Sequence, residues 1–113
     1  MTMPAYNSFE LYKGDTLRFS LTMQVSGSAY VIADGTTFSG AIKQKNSSNV
    51  LANFDSSIIS ASTGKVLFTL DSNNSSLLSS TKNWVYDVQM KTAASVVTTL
   101  MTGNIFVTDE VTL

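Results

Sequence analysis

The sequence predicts an all-β protein, either a β-sandwich or a small barrel, with roughly seven to nine short antiparallel strands. The first reason is the segment TLRFSLTMQV at residues 16–25, where polar and apolar residues alternate without interruption, as in a strand with one buried face. The second is that uncharged polarity comes mainly from Ser, Thr and Asn, which suit turns and exposed pleated surfaces. The third is that turn signals recur about every ten residues and leave room for only one short helix.

Four segments predict the other strands in the first half of the chain. They are SFELYK before the opening strand, FSGAIKQK after it, VLANF, and a weaker strand SIISAS. Gly14 and Asp15 form the turn into the opening strand. Gly14 tolerates a positive φ, and the Asp15 carboxylate is expected to accept a hydrogen bond from the backbone N–H two residues on. Asp15 is therefore interpreted as a structural residue.

The second half of the chain predicts three strands and one short helix. KVLFTL, NWVYDVQM and VVTTLMTGNIFVT are interpreted as strands, the last with a kink or bulge at Gly103, and DEVTL as an extended tail. Asp71 or Ser72 is expected to cap a helix of one or two turns, with Leu77 and Leu78 over one end of the core. The predicted core consists of Leu17, Phe19, Leu21, Phe38, Ile42, Val66, Phe68, Leu70, Tyr86, Val88 and Ile105.

Length and composition predict one domain over residues 1–113, with extended arms at residues 1–8 and 108–113. A chain of 113 residues, 43% of them apolar, buries roughly 65% of the surface that its unfolded form exposes. Because the sequence contains no cysteine, disulfide bonds do not contribute to its stability. Neither a secretion signal nor an apolar run of membrane-spanning length is recognised, so no membrane partner is expected.

Charge and residue types argue against several classes of function. A net charge of −1, with 13% charged residues, provides no basic patch for nucleic acid. Histidine and cysteine are absent, which excludes the usual nucleophile–base pairs and imidazole or thiolate metal sites, and no cofactor is expected.

Carboxylates could still supply the catalytic pair of a glycosidase or the ligands of a calcium site. Most of them lie in turn-type sequences, and no Asp-x-Asp-x-Asp-Gly loop is present. The candidates are Asp15, Asp34, Asp55, Asp71, Asp87, Asp109 and Glu110. The protein is therefore predicted not to be an enzyme.

Two features of the sequence have both a structural and a functional interpretation. Tyr and Trp side chains could form a sugar-binding platform, although the alternation in NWVYDVQM favours Trp84 and Tyr86 as core residues. The other members of that platform would be Tyr6, Tyr12 and Tyr30. Arg18 either pairs across strands with a carboxylate such as Asp87 or Glu10, or reaches another subunit.

Five short motifs follow one another along the chain. They are Gly14-Asp15; Gly64, Val66 and Leu70 before the helix; Tyr86-Asp87-Val88; Gly103, Ile105 and Val107; and Val111-Thr112. In order and spacing they resemble the immunoglobulin-like N-terminal domain of the phage baseplate upper protein family, and small phage virion proteins of the same type. Trp84 stands where that family usually has Tyr, and Leu113 replaces its terminal basic residue.

The resemblance implies an immunoglobulin-like sandwich and a non-enzymatic structural role in a phage virion assembled in the host cytoplasm. In the baseplate proteins this domain docks a longer chain, whereas this sequence ends at Leu113, so we expect it to act as a fastener. It would be either a capsid decoration (cement) protein or a tail or baseplate component. The alternative function is a carbohydrate-binding module that adheres to the host surface.

The partners implied by the resemblance are other virion proteins, either the major capsid protein or tail and baseplate proteins. Copies of the chain are expected to form a homo-oligomer or to occupy several symmetric positions. The residues expected at the interface are Arg18, Tyr6, Tyr12, Val111 and Leu113.

Overall fold

Alternating segments of the sequence form the strands of one large sheet that curls on itself. The structure, a computed structural model, describes residues 5–25 and 27–108. Its helix is α1 (Ser72–Ser75), and its strands are β1 (Ala5–Tyr6), β2 (Phe9–Tyr12), β3 (Leu17–Thr22), β4 (Gln24–Val25), β5 (Ser28–Ala29), β6 (Thr37–Gln44), β7 (Val50–Ser60), β8 (Lys65–Leu70), β9 (Trp84–Lys91) and β10 (Val97–Thr108). The all-β prediction is confirmed.

The large sheet has the strand order β1–β10–β9–β6–β7–β8–β3, and β2 continues the line of β1 along β10. Strand β7 is shared between two parts of it, because residues 50–54 pair with β6 and residues 55–60 pair with β8. The two edges of the sheet approach each other where the rings of Phe9 in β2 and Phe19 in β3 stack, with centroids 4.8 Å apart. The sheet is therefore a nearly closed barrel, and β4 and β5 form a small separate hairpin.

The N-terminal strands differ from the antiparallel arrangement that the sequence predicts. Both β1 and β2 run parallel to β10. Parallel neighbours need long connections, so local turn signals carry no information about this pairing. Of the predicted arms, residues 5–8 run along this edge of the sheet and Thr108 ends β10, while residues 1–4 and 109–113 lie outside the described part of the chain.

Three strand boundaries also differ from the prediction. The segment 16–25 is not one strand, because β3 ends at Thr22 and residues 24–25 form β4, which pairs with β5 instead of β8. VLANF and the first four residues of SIISAS form the single strand β7, because the polar residues between them stay in the ladder and pair with β8. In β10 the irregularity lies between Thr99 and Met101, not at Gly103. Polar residues inside a strand resemble a turn in the sequence when they lie on an exposed face.

The inward faces of the central strands form the core. Seven of the predicted core residues are buried: Ile42, Val66, Phe68, Leu70, Tyr86, Val88 and Ile105. The four others, Leu17, Phe19, Leu21 and Phe38, are only partly buried and pack against this core. Three of these four lie on β3, an edge strand, which has a hydrogen-bonded neighbour on one side only within the described chain. The prediction of their inward facing is confirmed, and the structure places them at the margin of the core instead of in its buried part.

A cluster of aromatic rings joins the two edges of the curled sheet. Phe19 stacks on Phe9 and on Phe68, at centroid distances of 4.8 and 5.4 Å, and meets the edge of Phe54 at 5.3 Å. Tyr86 lies 5.4 Å from Phe9 in the same cluster. Because no backbone ladder is described between β2 and β3, these rings close the barrel.

The predicted helix and turn form largely as expected. The Asp71 carboxylate caps α1 by accepting a hydrogen bond from the Asn74 backbone N–H at 2.8 Å. Leu78 is fully buried over the core, whereas Leu77 is exposed. Gly14 has φ +92°, and the turn closes through the backbone, because the Asp15 N–H donates to the Tyr12 carbonyl oxygen at 3.0 Å. The predicted bond to the exposed Asp15 carboxylate is not what closes this turn.

The aromatic cluster predicts a specific cost for truncating its central ring. Phe19→Ala should lower the free energy of unfolding by about 3 kcal/mol, near the lower limit for phenylalanine truncation because Phe19 is partly exposed. Phe106→Ala is the control, since Phe106 lies on the exposed face of β10 and should change stability by less than about 0.5 kcal/mol. Urea denaturation of both variants measures the difference, and equal losses would contradict the assignment of Phe19 to the barrel closure.

Candidate interaction face

The N-terminal segment is held against β10 by backbone and side-chain hydrogen bonds. The Asn7 N–H donates to the Thr102 carbonyl oxygen at 2.9 Å, and the Asn7 carbonyl oxygen accepts a bond of 2.6 Å from the Tyr86 hydroxyl. At the other end of the segment the Lys13 N–H donates to the Thr108 carbonyl oxygen at 2.8 Å. These bonds fix β1 and β2 as one parallel edge of the sheet.

The close approach at this edge requires a glycine at position 103. A Cβ atom built on Gly103 would lie 1.8 Å from the Asn7 carbonyl oxygen and 2.6 Å from its carbonyl carbon. These are backbone atoms, so no rotation of a side chain can relieve the clash. Gly103 is therefore needed for the docking of the N-terminal segment, and not for the bend that the sequence predicted.

Three aromatic side chains project from the outer surface of this edge. Tyr6 pairs with Thr102, Glu10 with Phe106 and Tyr12 with Thr108. Because residues two apart on a strand share a face, Tyr6, Tyr12 and Phe106 all lie on the outer face of the sheet. Tyr6 is 68% exposed, Phe106 55% and Tyr12 53%. The amide nitrogen of Asn104 donates a hydrogen bond to the Tyr6 hydroxyl. We call the surface formed by Tyr6, Tyr12 and Phe106 the aromatic edge face.

A pocket of about 280 Å³ lies next to the aromatic edge face. Its polar lining comes from Lys45, Ser80, Lys82, Asn83 and Asn104, and its apolar lining from Trp84 and residues 105–107 of β10. We call it the lysine pocket. A second recess, of about 320 Å³, lies on the outer sheet surface and has one lysine and one carboxylate in its lining, Lys43 and Asp87.

The structure places the predicted interface residues in different regions. Tyr6 and Tyr12 lie on the same outer edge, opposite Thr102 and Thr108 of β10, whereas Arg18 lies on the outer side of β3. The cross-strand neighbour of Arg18 is Thr69 on β8. The predicted cross-strand pairing with Asp87 or Glu10 is wrong, because neither β9 nor β2 forms a ladder with β3. Val111 and Leu113 lie outside the described residues.

The predicted sugar platform does not form as a single surface. Trp84 and Tyr86 are buried in the core, as the alternation of their strand favoured. The Trp84 indole N–H donates to the Ser79 carbonyl oxygen at 2.8 Å, and the Tyr86 hydroxyl is bonded to Asn7. Only Tyr6 and Tyr12 of that set are well exposed on one face.

The carboxylates have separate positions in the fold. Asp71 caps α1, while Asp15, Asp34 and Asp55 are exposed on different turns and strands, and Asp109 and Glu110 lie outside the described residues. Across residues 5–25 and 27–108, no three acidic side chains come close enough together to hold a metal ion. In the same part of the chain, no helix has both the length and the apolar character needed to cross a membrane.

Sequence reasoning missed Phe106 and the lysine pocket. Ile105, Phe106 and Val107 form an apolar run inside an alternating strand, which places one large apolar side chain on the outer face. That break in alternation was the available signal for Phe106. The pocket had no comparable signal, because Lys45, Lys82 and Asn104 are brought together by strand pairing and a loop.

Comparison with known proteins gives no family assignment. No family description matches this chain, and no curated protein matches its sequence.

Burial changes the acid–base behaviour of Tyr86. Desolvation, with a smaller contribution from the nearby Tyr6, raises the pKa of Tyr86 from 10.0 to about 12. In the unfolded chain the phenol loses its proton at the lower pH, so the neutral phenol favours the folded state. The contribution of Tyr86 to stability is therefore complete below about pH 10 and declines as the pH rises to about 12.

The Gly103–Asn7 contact gives the first prediction for this edge. Gly103→Ala should lower the free energy of unfolding by about 1–3 kcal/mol, because the new Cβ displaces the Asn7 backbone. Hydrogen exchange at the Asn7 and Lys13 amides should become faster, since both donate to β10. Phe106→Ala is the control, because it alters an exposed, outward side chain of the same strand. Unchanged protection of Asn7 in Gly103→Ala would contradict the role assigned to this glycine.

The raised pKa of Tyr86 gives the second prediction. Ultraviolet absorbance of the phenolate should reveal an ionisation near pH 12 that is missing in Tyr86→Phe. Stability of the parent should fall between about pH 10 and 12 more steeply than that of Tyr86→Phe. Tyr12→Phe removes an exposed phenol and should retain both effects. If the ionisation near pH 12 persists in Tyr86→Phe, the assignment is wrong.

Proposed function

We propose that the protein is a non-enzymatic structural protein of a bacteriophage virion that fastens to neighbouring particle proteins. It belongs there either to the capsid, as a decoration or cement protein, or to the tail or baseplate. Its curled sheet would then be a variant of the immunoglobulin-like sandwich that the sequence motifs resemble.

The aromatic edge face is the observation that carries this proposal. Tyr6, Tyr12 and Phe106 are all more than half exposed on one outer surface. Exposed aromatic side chains along a rigid edge are typical of protein interfaces, where large rings contribute much of the binding energy. Because the edge is held by the bonds around Asn7, the rings are preorganised for contact with a neighbour.

The edge of β3 that has no strand partner among the described residues supports the same function. Its six residues pair with β8 on one side, and their apolar side chains Leu17, Phe19 and Leu21 are only partly buried. An unpaired edge of this kind accepts an extended segment from another chain by strand addition. Arg18, exposed in the middle of β3, is placed to contact such a partner.

Composition agrees with a packing role. Charged residues make up 13% of the chain, so contacts with neighbours depend mainly on apolar and backbone groups. Retention on particles should accordingly fall only weakly between low and moderate salt.

Particle composition tests this function directly. Quantitative mass spectrometry of purified particles of the encoding phage should find the chain as a stoichiometric component. Hundreds of copies would assign it to the capsid, and a few tens or fewer to the tail. Absence of the chain from intact particles would disprove the proposal.

Variants of the aromatic edge face test which surface makes the contact. Tyr12→Ser combined with Phe106→Ser should lower occupancy on particles at least about tenfold, while the isolated protein stays folded. Val31→Ser combined with Val97→Ser is the matched control, because it removes two exposed apolar side chains elsewhere on the surface. Equal loss of occupancy in both double variants would show that general surface hydrophobicity, and not this face, controls retention.

A further inference from the structure

We propose that the lysine pocket binds an acidic saccharide, with its carboxylate or sulfate group at the two lysines. The pocket has a volume of about 280 Å³, close to the lower limit of small-molecule sites in proteins. This inference does not depend on the virion role proposed above, since it rests on the two lysines and the polar groups of the pocket, and Phe106 is the one side chain that it shares with the aromatic edge face.

The charge of the pocket is the first argument. Lys45 and Lys82 are both in its lining, and no carboxylate is in the lining formed by the described residues. The chain as a whole carries a net charge of −1, so this local excess of positive charge is opposite in sign to the whole protein. By contrast, the recess that contains Lys43 also contains Asp87, and its charges balance. The lysine pocket therefore favours an anionic ligand.

The loop that carries part of the pocket is held in place. The Lys45 N–H donates to the Asn83 carbonyl oxygen at 2.8 Å, and the Trp84 indole donates to the Ser79 carbonyl oxygen at 2.8 Å. The hydroxyls of Ser79 and Thr81 are 2.7 Å apart and share a hydrogen bond. Ser80, Lys82 and Asn83 are thus presented by a hydrogen-bonded loop, which reduces the entropic cost of binding.

The remaining groups of the pocket fit the ring and hydroxyls of a sugar. Each Asn side chain and Ser80 can both donate and accept hydrogen bonds, as sugar hydroxyls require. The amide nitrogen of Asn104 is bonded to the Tyr6 hydroxyl, which leaves its carbonyl oxygen as an acceptor. Phe106, half exposed at the pocket, offers an apolar surface for the C–H face of a ring.

Other anionic ligands fit less well. Nucleic acid requires many cations along its backbone, and the described lining contains two. A simple phosphate or sulfate ion would use the lysines but not Phe106 or the Asn side chains. An acidic saccharide uses all three kinds of group.

The single tryptophan of the chain provides the assay. Trp84 lines the pocket, so its fluorescence should change when a ligand binds. The probes are an oligomer of galacturonic acid, a sulfated oligosaccharide, a neutral galactose oligomer of equal length, and inorganic phosphate. We expect at least one acidic oligosaccharide to bind with a dissociation constant of about 1 mM or tighter. The carboxylated and sulfated probes distinguish the two possible anionic groups.

Two double variants separate the pocket from the effect of net charge. Lys45→Gln with Lys82→Gln should weaken binding at least about tenfold, because it removes both cations of the pocket. Lys43→Gln with Lys91→Gln removes the same charge from exposed lysines elsewhere and should retain binding within about twofold. Phe106→Ala should weaken the binding of the acidic oligosaccharide but leave any binding of phosphate unchanged.

Four outcomes would overturn the proposal. They are no fluorescence change with either acidic oligosaccharide up to about 10 mM, equal binding of the neutral oligomer, phosphate binding as tight as that of the oligosaccharides, and equal losses in the two lysine double variants. None of these results bears on occupancy in particles, so the virion role is tested separately.

Discussion

The carbonyl group of Asn7 occupies the space that a side chain at position 103 would fill, and the edge of the sheet depends on this contact. The Tyr86 hydroxyl donates to that oxygen from inside the core, and Thr102 accepts from the Asn7 N–H. With Asn7 fixed, β1 and β2 lie parallel to β10. Their inward residues Phe9 and Leu11 then cover the core, and their outward tyrosines reach the surface.

Closure of the barrel follows from the same docking. Once β2 is in place, Phe9 stacks on Phe19, whose ring also contacts Phe54 and Phe68. The two edges of the sheet are therefore joined by side chains without a backbone ladder in the described chain. Within residues 5–25 and 27–108, this kind of closure leaves one edge of β3 without a backbone ladder. A domain that only packs against neighbours can use such an edge, whereas a monomer must protect it.

The two proposed surfaces lie side by side and share residues. Phe106 belongs to the aromatic edge face and to the lining of the lysine pocket, and Asn104 of the pocket is bonded to Tyr6 of the face. Their chemistry is different, since one surface is aromatic and the other combines two cations with amides and a hydroxyl. A neighbour packed on the aromatic face would therefore change access to the pocket. Binding of a protein partner and of an acidic saccharide would then be coupled.

The sequence by itself determined most of the strands, most of their inward faces, a helix cap at Asp71 or Ser72 and the burial of Trp84 and Tyr86, because alternation and capping are local properties of the chain. Tertiary structure alone decided that the N-terminal segment pairs in parallel with β10, that Gly103 makes room for Asn7, and that Phe19 is a partly exposed residue of an edge strand. The lysine pocket also exists only in the tertiary structure, because its residues come from the end of β6, from β10, and from the start of β9 with the loop before it. Contacts between segments far apart in the chain leave no periodic signal, since each depends on which strands become neighbours.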